Sequence, residues 1–282
     1  MLMENILTFW QNIPYNISEI AFSIGLFQIK WYSISYVLVI LTIALLLWWR
    51  INRNELPEIK TSKEKFSQDL LDIGIFTFLG VLLGARIGYA CFYDQSLLFS
   101  NISQLFNPFE NGQFIGIYGL SFHGGLIGSA LTGFAIIKFK KYSFLPIANF
   151  VIPAIPLGYF WGRIGNFLNK ELIGRVTDSL IGMNFSENFQ RVLLNHPSQL
   201  YEALGEGLLI FLILWPIRNH LVFKKYLFAI FLILYGTIRF IIEFFRQPEI
   251  TFNWLTMGQI LCFAMIITGI FIIFFSFKIR KN

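Results

Sequence analysis

Charge is the scarcest property of this 282-residue chain: Asp, Glu, Lys and Arg make up 13% of it, against about 25% in an ordinary soluble chain. With a mean hydropathy of +0.63, this excludes a soluble globular domain. Cysteine is nearly absent. Cys91 and Cys262 lie far apart without CxxC spacing, so neither a disulfide nor a cysteine-held metal is expected. Histidine is limited to 3 residues, with no second ligand at helical spacing from His123, so no metal site and no cofactor are expected. Residues 1 to 20 lack the basic stretch and small-residue cleavage site of a signal peptide. They are expected to remain, lying along the outer surface with Trp10 and Tyr15 at headgroup level.

What is abundant is long apolar sequence. Runs of roughly 20 residues, enough to cross a bilayer, occur at about 21–49, 69–93, 113–137, 144–167, 198–217, 224–245 and 254–277. The expectation is an all-α polytopic membrane protein of about seven transmembrane helices. It forms one membrane-embedded domain over 1–282, with 168–196 as a small extracytoplasmic cap. Lys and Arg cluster after every second run: Arg50 to Lys65, Lys138 to Lys141, Arg218 to Lys225, and Lys278 to Lys281. By the positive-inside rule the N-terminus is outside and the C-terminus cytoplasmic. The net charge of +6 is thus spread over four short loops as anchoring, and nucleic acid is not an expected partner.

Polar residues inside the apolar runs are the candidate site, because an ionisable group at membrane depth costs roughly 2.5 to 3.5 kcal/mol on insertion scales unless it pairs or meets water. The stretch from Gly158 to Arg175 carries Arg163, Asn166, Asn169 and Glu171 out of a span into polar sequence. Arg163 and Asn166 are three apart and share a helical face. Tyr235, Arg239 and Glu243 recur every fourth residue and Arg246 follows by three, making a polar ladder on an otherwise apolar helix. Two arginines against one carboxylate, joined by Arg163, predict a positive pocket near the outer leaflet, suited to phosphate. His123, beside Gly124 and Gly125, is a general base, a proton relay or a phosphate donor.

Other positions leave two readings open. Tyr32 and Tyr36 belong to an interfacial aromatic belt or face a ligand; Arg86 snorkels outward or lines a polar cavity. Gly80, Gly84 and Gly88, with Gly124 and Gly128, form small-residue faces for close helix packing. His196 opens a span in His-Pro-Ser-Gln-Leu-Tyr-Glu and has the stronger structural claim. An anionic lipid headgroup fits such a pocket, with lipid transfer, lipid phosphate hydrolysis and transport or flipping of an anionic amphiphile all open. The chain shows no internal repeat of the transporter kind.

Four motifs then carry a resemblance: Ser-Phe-His123-Gly-Gly-Leu-Ile-Gly; Gly-Arg163-Ile-Gly-Asn166-Phe-Leu-Asn169-Lys-Glu171-Leu-Ile-Gly174-Arg175; His196-Pro-Ser-Gln-Leu-Tyr-Glu; and Tyr235-Gly-Thr-Ile-Arg239-Phe-Ile-Ile-Glu243-Phe-Phe-Arg246-Gln-Pro. Joined by Trp31-Tyr32 and Gly-Ala-Arg86-Ile-Gly-Tyr, they resemble the bacterial prolipoprotein diacylglyceryl transferases, in the family's order and over nearly the whole chain. Lys170 stands where that family usually has glycine. The resemblance implies a bacterial inner-membrane enzyme that moves the diacylglyceryl group of phosphatidylglycerol to the lipobox cysteine of a prolipoprotein, releasing glycerol phosphate. It implies catalytic roles for His123, Arg163, Arg239 and Glu243. The headgroup pocket would be formed by Arg163, Asn166, Tyr32, Tyr235, Arg239, Glu171, Gly174, Arg86 and Arg246, toward the outer face.

Overall fold

The computed structural model describes residues 2–25, 27–57, 61–99, 105–107, 109–110, 113–114, 119–185, 193–248 and 251–278. In chain order the helices are α1 (Leu2–Gln11), α2 (Ile13–Asn16), α3 (Trp31–Asn52), α4 (Lys63–Phe92), α5 (Ser96–Phe99), α6 (Phe122–Phe139) and α7 (Phe144–Val151). After them come α8 (Ile155–Leu168), α9 (Ser198–Glu202), α10 (Ile210–Ile217), α11 (Leu227–Ile242) and α12 (Met257–Lys278). The strands form four two-stranded antiparallel ribbons, so the chain is mostly helical with no closed sheet among the described residues.

Five helical segments are long and apolar enough to cross a membrane: Trp31–Asn52, Lys63–Phe92, Phe144–Leu168, Ser198–Ile217 and Met257–Phe275. The chain is a multi-pass membrane protein. Two further apolar helices, α6 of 18 residues and α11 of 16, stand where the remaining two runs were read. Two runs begin later than hydropathy suggests. Ile20–Ile24 pairs with Phe27–Lys30 around Gly25, whose φ of +60° turns the chain back, and α3 starts only at Trp31. Gln113–Phe114 pairs with Phe109–Glu110, and α6 waits for Ser121, whose hydroxyl caps the Gly124 amide at 3.3 Å. Extended ribbons were apolar too, so hydropathy alone could not separate them from the helices that follow.

The chain forms two compact units, one of Met1–Glu55 with Ala148–Asn282 and one of Leu56–Ile147. In the second unit α4 and α6 meet along their glycines. A Cβ on Gly84 would lie 2.8 Å from the Gly128 Cα, and one on Gly88 2.6 Å from the Gly124 Cα. The backbones therefore touch, as the small-residue faces predict. At the lysine-rich end Lys140 bridges Asp69, at 2.7 Å, and Asp72, and the Tyr142 hydroxyl donates to Asp69 at 2.7 Å.

The first unit packs α3 on α8 and α11 on α12. Gly165 admits Ser35, whose Cβ would be 2.7 Å from an added methyl, and Gly236 admits the Cys262 carbonyl at 2.9 Å. Ile210, Leu214 and Leu227 form one buried apolar cluster in it, and Phe167, Met183 and Phe185 another. One end is tied by Arg218, which grips Glu55 with two bonds of 3.0 Å and lies over Trp215 at 4.2 Å; Arg50 adds a third bond to Glu55 at 3.1 Å.

Candidate active site

The site of the first unit begins on α8. Pro153 and Pro156 fall in the 3₁₀ turn and first turn that lead into this helix, where a missing N–H costs nothing. The intervals of four and three place Tyr159, Arg163 and Asn166 on one face. Opposite them, α9 runs into a π-helical turn at Ala203–Leu209. Gly207 lets that turn approach α8, since a Cβ there would be 2.8 Å from the Phe160 Cβ. The approach delivers Glu202 and Glu206, 0% and 1% exposed, to the Tyr159–Arg163 face.

Three guanidiniums converge on Glu202. Arg163 Nε is 2.7 Å from its Oε2, Arg239 Nη1 3.1 Å from the same oxygen, and Arg246 Nη1 donates to Oε1. Arg239 also reaches Glu206 at 3.5 Å and, through Nη2, Glu243 at 3.3 Å. The Tyr159 hydroxyl accepts from Arg163 Nε at 2.7 Å and lies 2.5 Å from Glu206 Oε2 and 3.2 Å from Glu202 Oε2. Tyr235 packs edge-on against the Tyr159 ring with centroids 6.0 Å apart.

Glu243 is steadied from α12's side. The Thr256 hydroxyl donates to its Oε1 at 3.0 Å, and Gly258 leaves the carboxylate its space, an added Cβ falling 2.6 Å from Oε1. Its Oε2 is buried and accepts no hydrogen bond, although Arg246 Nε stands 3.6 Å away.

The ladder extends to the mouth of α8. Arg163 Nη1 donates to Asn166 Oδ1 at 3.1 Å, Asn166 Nδ2 to Glu171 Oε2 at 3.2 Å, and Asn169 Nδ2 to Glu171 Oε1 at 3.3 Å. The backbone closes α8 with the Glu171 amide on the Asn166 carbonyl (2.9 Å) and the Lys170 amide on that of Phe167 (3.1 Å). This Schellman end requires a left-handed residue after the cap, and Lys170 takes it at φ +56°. The turn explains why glycine suits that position in the family the chain resembles. Tyr32, on the first turn of α3, shares a 2.9 Å hydroxyl contact with Tyr36 and lies within electrostatic reach of Arg163 and Glu171.

Gly174 acts through its backbone. It bridges Arg246 in an isolated β-pairing, and an added Cβ would meet the Phe245 carbonyl at 2.6 Å. With Arg175 Nε donating to the Arg246 carbonyl at 2.7 Å, it fixes the backbone of Arg246 just beyond the end of α11. His196 is held by the Tyr201 hydroxyl at 3.1 Å, with burial lowering its pKa.

Two of the sequence-read site residues belong to the other unit. His123 is exposed in the first turn of α6. Arg86 is buried and donates to the backbone carbonyls of Leu105 and, at 3.2 Å, of Gly119.

One expectation is corrected. The count of charges on α11 and α8 predicted a positive excess, but the folded cluster holds three arginines and three glutamates. Glu202 closes the His196-Pro-Ser-Gln-Leu-Tyr-Glu motif and Glu206 follows it by four, and neither is among the site residues expected from the sequence. The signal was present: a carboxylate four residues after Glu202, inside an apolar run with no basic neighbour on its own helix.

Largely buried guanidiniums fixed by carboxylates, with an amide and phenols beside them, can take an anionic oxygen ligand by exchange of partners. A profile of the family described as prolipoprotein diacylglyceryl transferase matches residues 19–275. The chain belongs to that family. A phosphatidylglycerol–prolipoprotein diacylglyceryl transferase of Chlorobaculum tepidum is 43% identical, covering 99% of this chain and 97% of its own. The enzyme of the same name from Campylobacter lari is 38% identical over 97% and 99%, and that of Wolinella succinogenes 38% over 92% and 93%. The family match runs through α8, the glutamate turn and α11, so every member of the arginine–glutamate cluster lies within it.

Proposed function

We propose that this chain transfers the diacylglyceryl group of phosphatidylglycerol to the lipobox cysteine thiol of prolipoproteins. It would do so in the bacterial inner membrane, as seven spans with the N-terminus outside, the C-terminus cytoplasmic and the site toward the outer face. The observation that carries the reading is the convergence of Arg163, Arg239 and Arg246 inside a membrane-embedded bundle, in a chain of this family. Lipid tails stay in the bilayer while the phosphate meets guanidiniums that hold it bidentately. The alternating basic loops support the orientation.

In the reaction a carbon–sulfur bond forms at the glycerol carbon that bears the phosphate, and the carbon–oxygen bond to phosphate breaks. The thiol proton goes to a base, and glycerol phosphate departs. The attacking species is the thiolate, and it belongs to the substrate, so neither Cys91 nor Cys262 acts. Arg163 and Arg239 hold the phosphate and stabilise the charge that grows on it as it leaves; Asn166 and Tyr235 orient it. His123 is the base or relay for the thiol proton. Glu171 and Glu243 align the arginines or share in proton transfer, and Tyr32, Gly174 and Arg246 complete the pocket. The segment 168–196, of which 186–192 lie outside the described residues, would cap the site on the outer side.

The reading is tested with phosphatidylglycerol labelled in its unacylated glycerol. Water-soluble labelled glycerol phosphate should appear only when a lipobox-cysteine peptide is present. Release without the peptide would point to lipid phosphate hydrolysis instead.

A further inference from the structure

The charge balance of the cluster has a consequence for how an anion enters it. Three arginines and three glutamates sum to zero, so a phosphodiester of charge −1 would leave the occupied site negative. Beside carboxylates as buried as Glu202 and Glu206 an uncompensated charge is expensive. One carboxylate must then be neutral when the lipid is bound.

The geometry selects which one. Glu202 has both oxygens engaged by three guanidiniums. Glu243 faces two, at 3.3 and 3.6 Å, and accepts from Thr256. Glu206 has a single arginine contact, at 3.5 Å, and its other oxygen rests 2.5 Å from the Tyr159 hydroxyl. It is the least held of the three and 1% exposed. The charged and titratable groups that face it are Tyr159 and Arg163 from α8, Glu202 from α9, Tyr235 and Arg239 from α11, and Cys262 from α12; α10 offers none.

We propose that Glu206 binds a proton when an anionic phosphodiester headgroup occupies the arginines, so that the lipid and one proton enter the site together. This rests on the reading of the cluster as the phosphatidylglycerol site. The hydrogen bonds have a place for that proton. When Glu206 is ionised, Tyr159 donates its hydroxyl hydrogen to Oε2. When Glu206 is protonated, Oε2 donates to the Tyr159 oxygen, and Tyr159 turns its own hydrogen to Glu202 Oε2, 3.2 Å away. The phenol still accepts from Arg163, so Tyr159 and the Glu206 oxygen beside it keep their hydrogen bonds in either state. The proton comes from water, and no covalent bond other than O–H changes. Glu206 is on this account a positioning residue: it sets the charge that the arginines offer to the phosphate.

The test is the pH dependence of KM for phosphatidylglycerol in the transfer assay, separated from kcat, which also carries the titration of the acceptor thiol. For the native protein KM should rise about tenfold per pH unit over roughly pH 6 to 9, as expected for one linked proton. Glu206→Gln, which cannot ionise, should flatten that slope. A variant-free check uses the native protein in phosphatidylcholine nanodiscs, weakly buffered, to which short-chain phosphatidylglycerol is added: one proton should disappear from solution per lipid bound. Transfer with a pH-independent KM, a slope that persists in Glu206→Gln, or binding without proton uptake would overturn the inference while leaving the proposed function intact. Absence of transfer at every pH would instead overturn the function on which it rests.

Discussion

Arg163 on α8 and Glu202 on α9 meet at 2.7 Å, the carboxylate fully and the guanidinium largely buried, and the other two arginines of the cluster are arranged around the same carboxylate. Removing one partner from a buried ion pair leaves the others uncompensated, at a cost of about 3–5 kcal/mol. Glu202→Gln should therefore lower the thermal unfolding midpoint in detergent markedly, and Arg163→Gln in the Glu202→Gln background should restore part of it. Independent, additive losses would show that the two residues are not a pair.

Arg239 touches three carboxylates through two nitrogens, a fork that a lysine ammonium cannot reproduce. Arg239→Lys keeps the charge and should still reduce kcat/KM for transfer by about a hundredfold, the scale of losing one charge-stabilising donor set. Unchanged kinetics would remove Arg239 from the phosphate.

His123 is tested by replacement with a hydrogen-bonding amide. If its imidazole takes the thiol proton, His123→Gln should lower kcat by about 10²–10⁴ with little effect on lipid binding. Near-normal turnover of the folded variant would leave His123 as a hydrogen bonder only.

Much of this site was legible in the sequence. The intervals of three and four linking Tyr235, Arg239, Glu243 and Arg246 depend only on helical periodicity; α11 carries Tyr235 and Arg239 and is capped by Glu243, whereas Arg246 stands beyond it in the bridge to Gly174. Arg163 and Asn166 do share a face and a 3.1 Å bond. What was not legible depends on tertiary placement. Glu202 and Glu206 become partners of α8 only because a π-helical turn and Gly207 bring that segment against Phe160. The ribbon of Ile20–Lys30 was lost inside an apolar run, since hydropathy reports burial in lipid or protein and not backbone conformation. Gly174 is part of a motif, but its reason, a carbonyl at 2.6 Å, exists only in three dimensions.

Lys170 offers a backbone prediction. A non-glycine residue in the left-handed region costs about 1–2 kcal/mol, and the Lys170 side chain is not needed for the Schellman bonds. Lys170→Gly should raise the unfolding midpoint or leave activity-competent protein longer-lived at elevated temperature. A lower midpoint would mean that the lysine side chain contributes more than its backbone strain removes.

The Glu55 clamp predicts acid sensitivity. Burial works against its charge, but bonds from Arg218, Asn219 and Arg50 outweigh it and hold the carboxyl below its ordinary value of 4.5. The clamp therefore contributes fully above that value and loses its contribution as the pH falls through the lower folded-state value. The unfolding midpoint should drop between about pH 5 and pH 3, and Glu55→Gln should reduce that drop. An identical acid profile for the variant would assign the acid sensitivity to other groups.

The central claim is that the clustered arginines serve a transfer of diacylglycerol to a thiol. The most direct test is a mass spectrum of a lipobox-cysteine peptide incubated with the purified protein and phosphatidylglycerol, beside the same peptide carrying alanine for cysteine. The account predicts a diacylglyceryl mass gain on the cysteine peptide alone. No gain from folded, lipid-bound protein would contradict it.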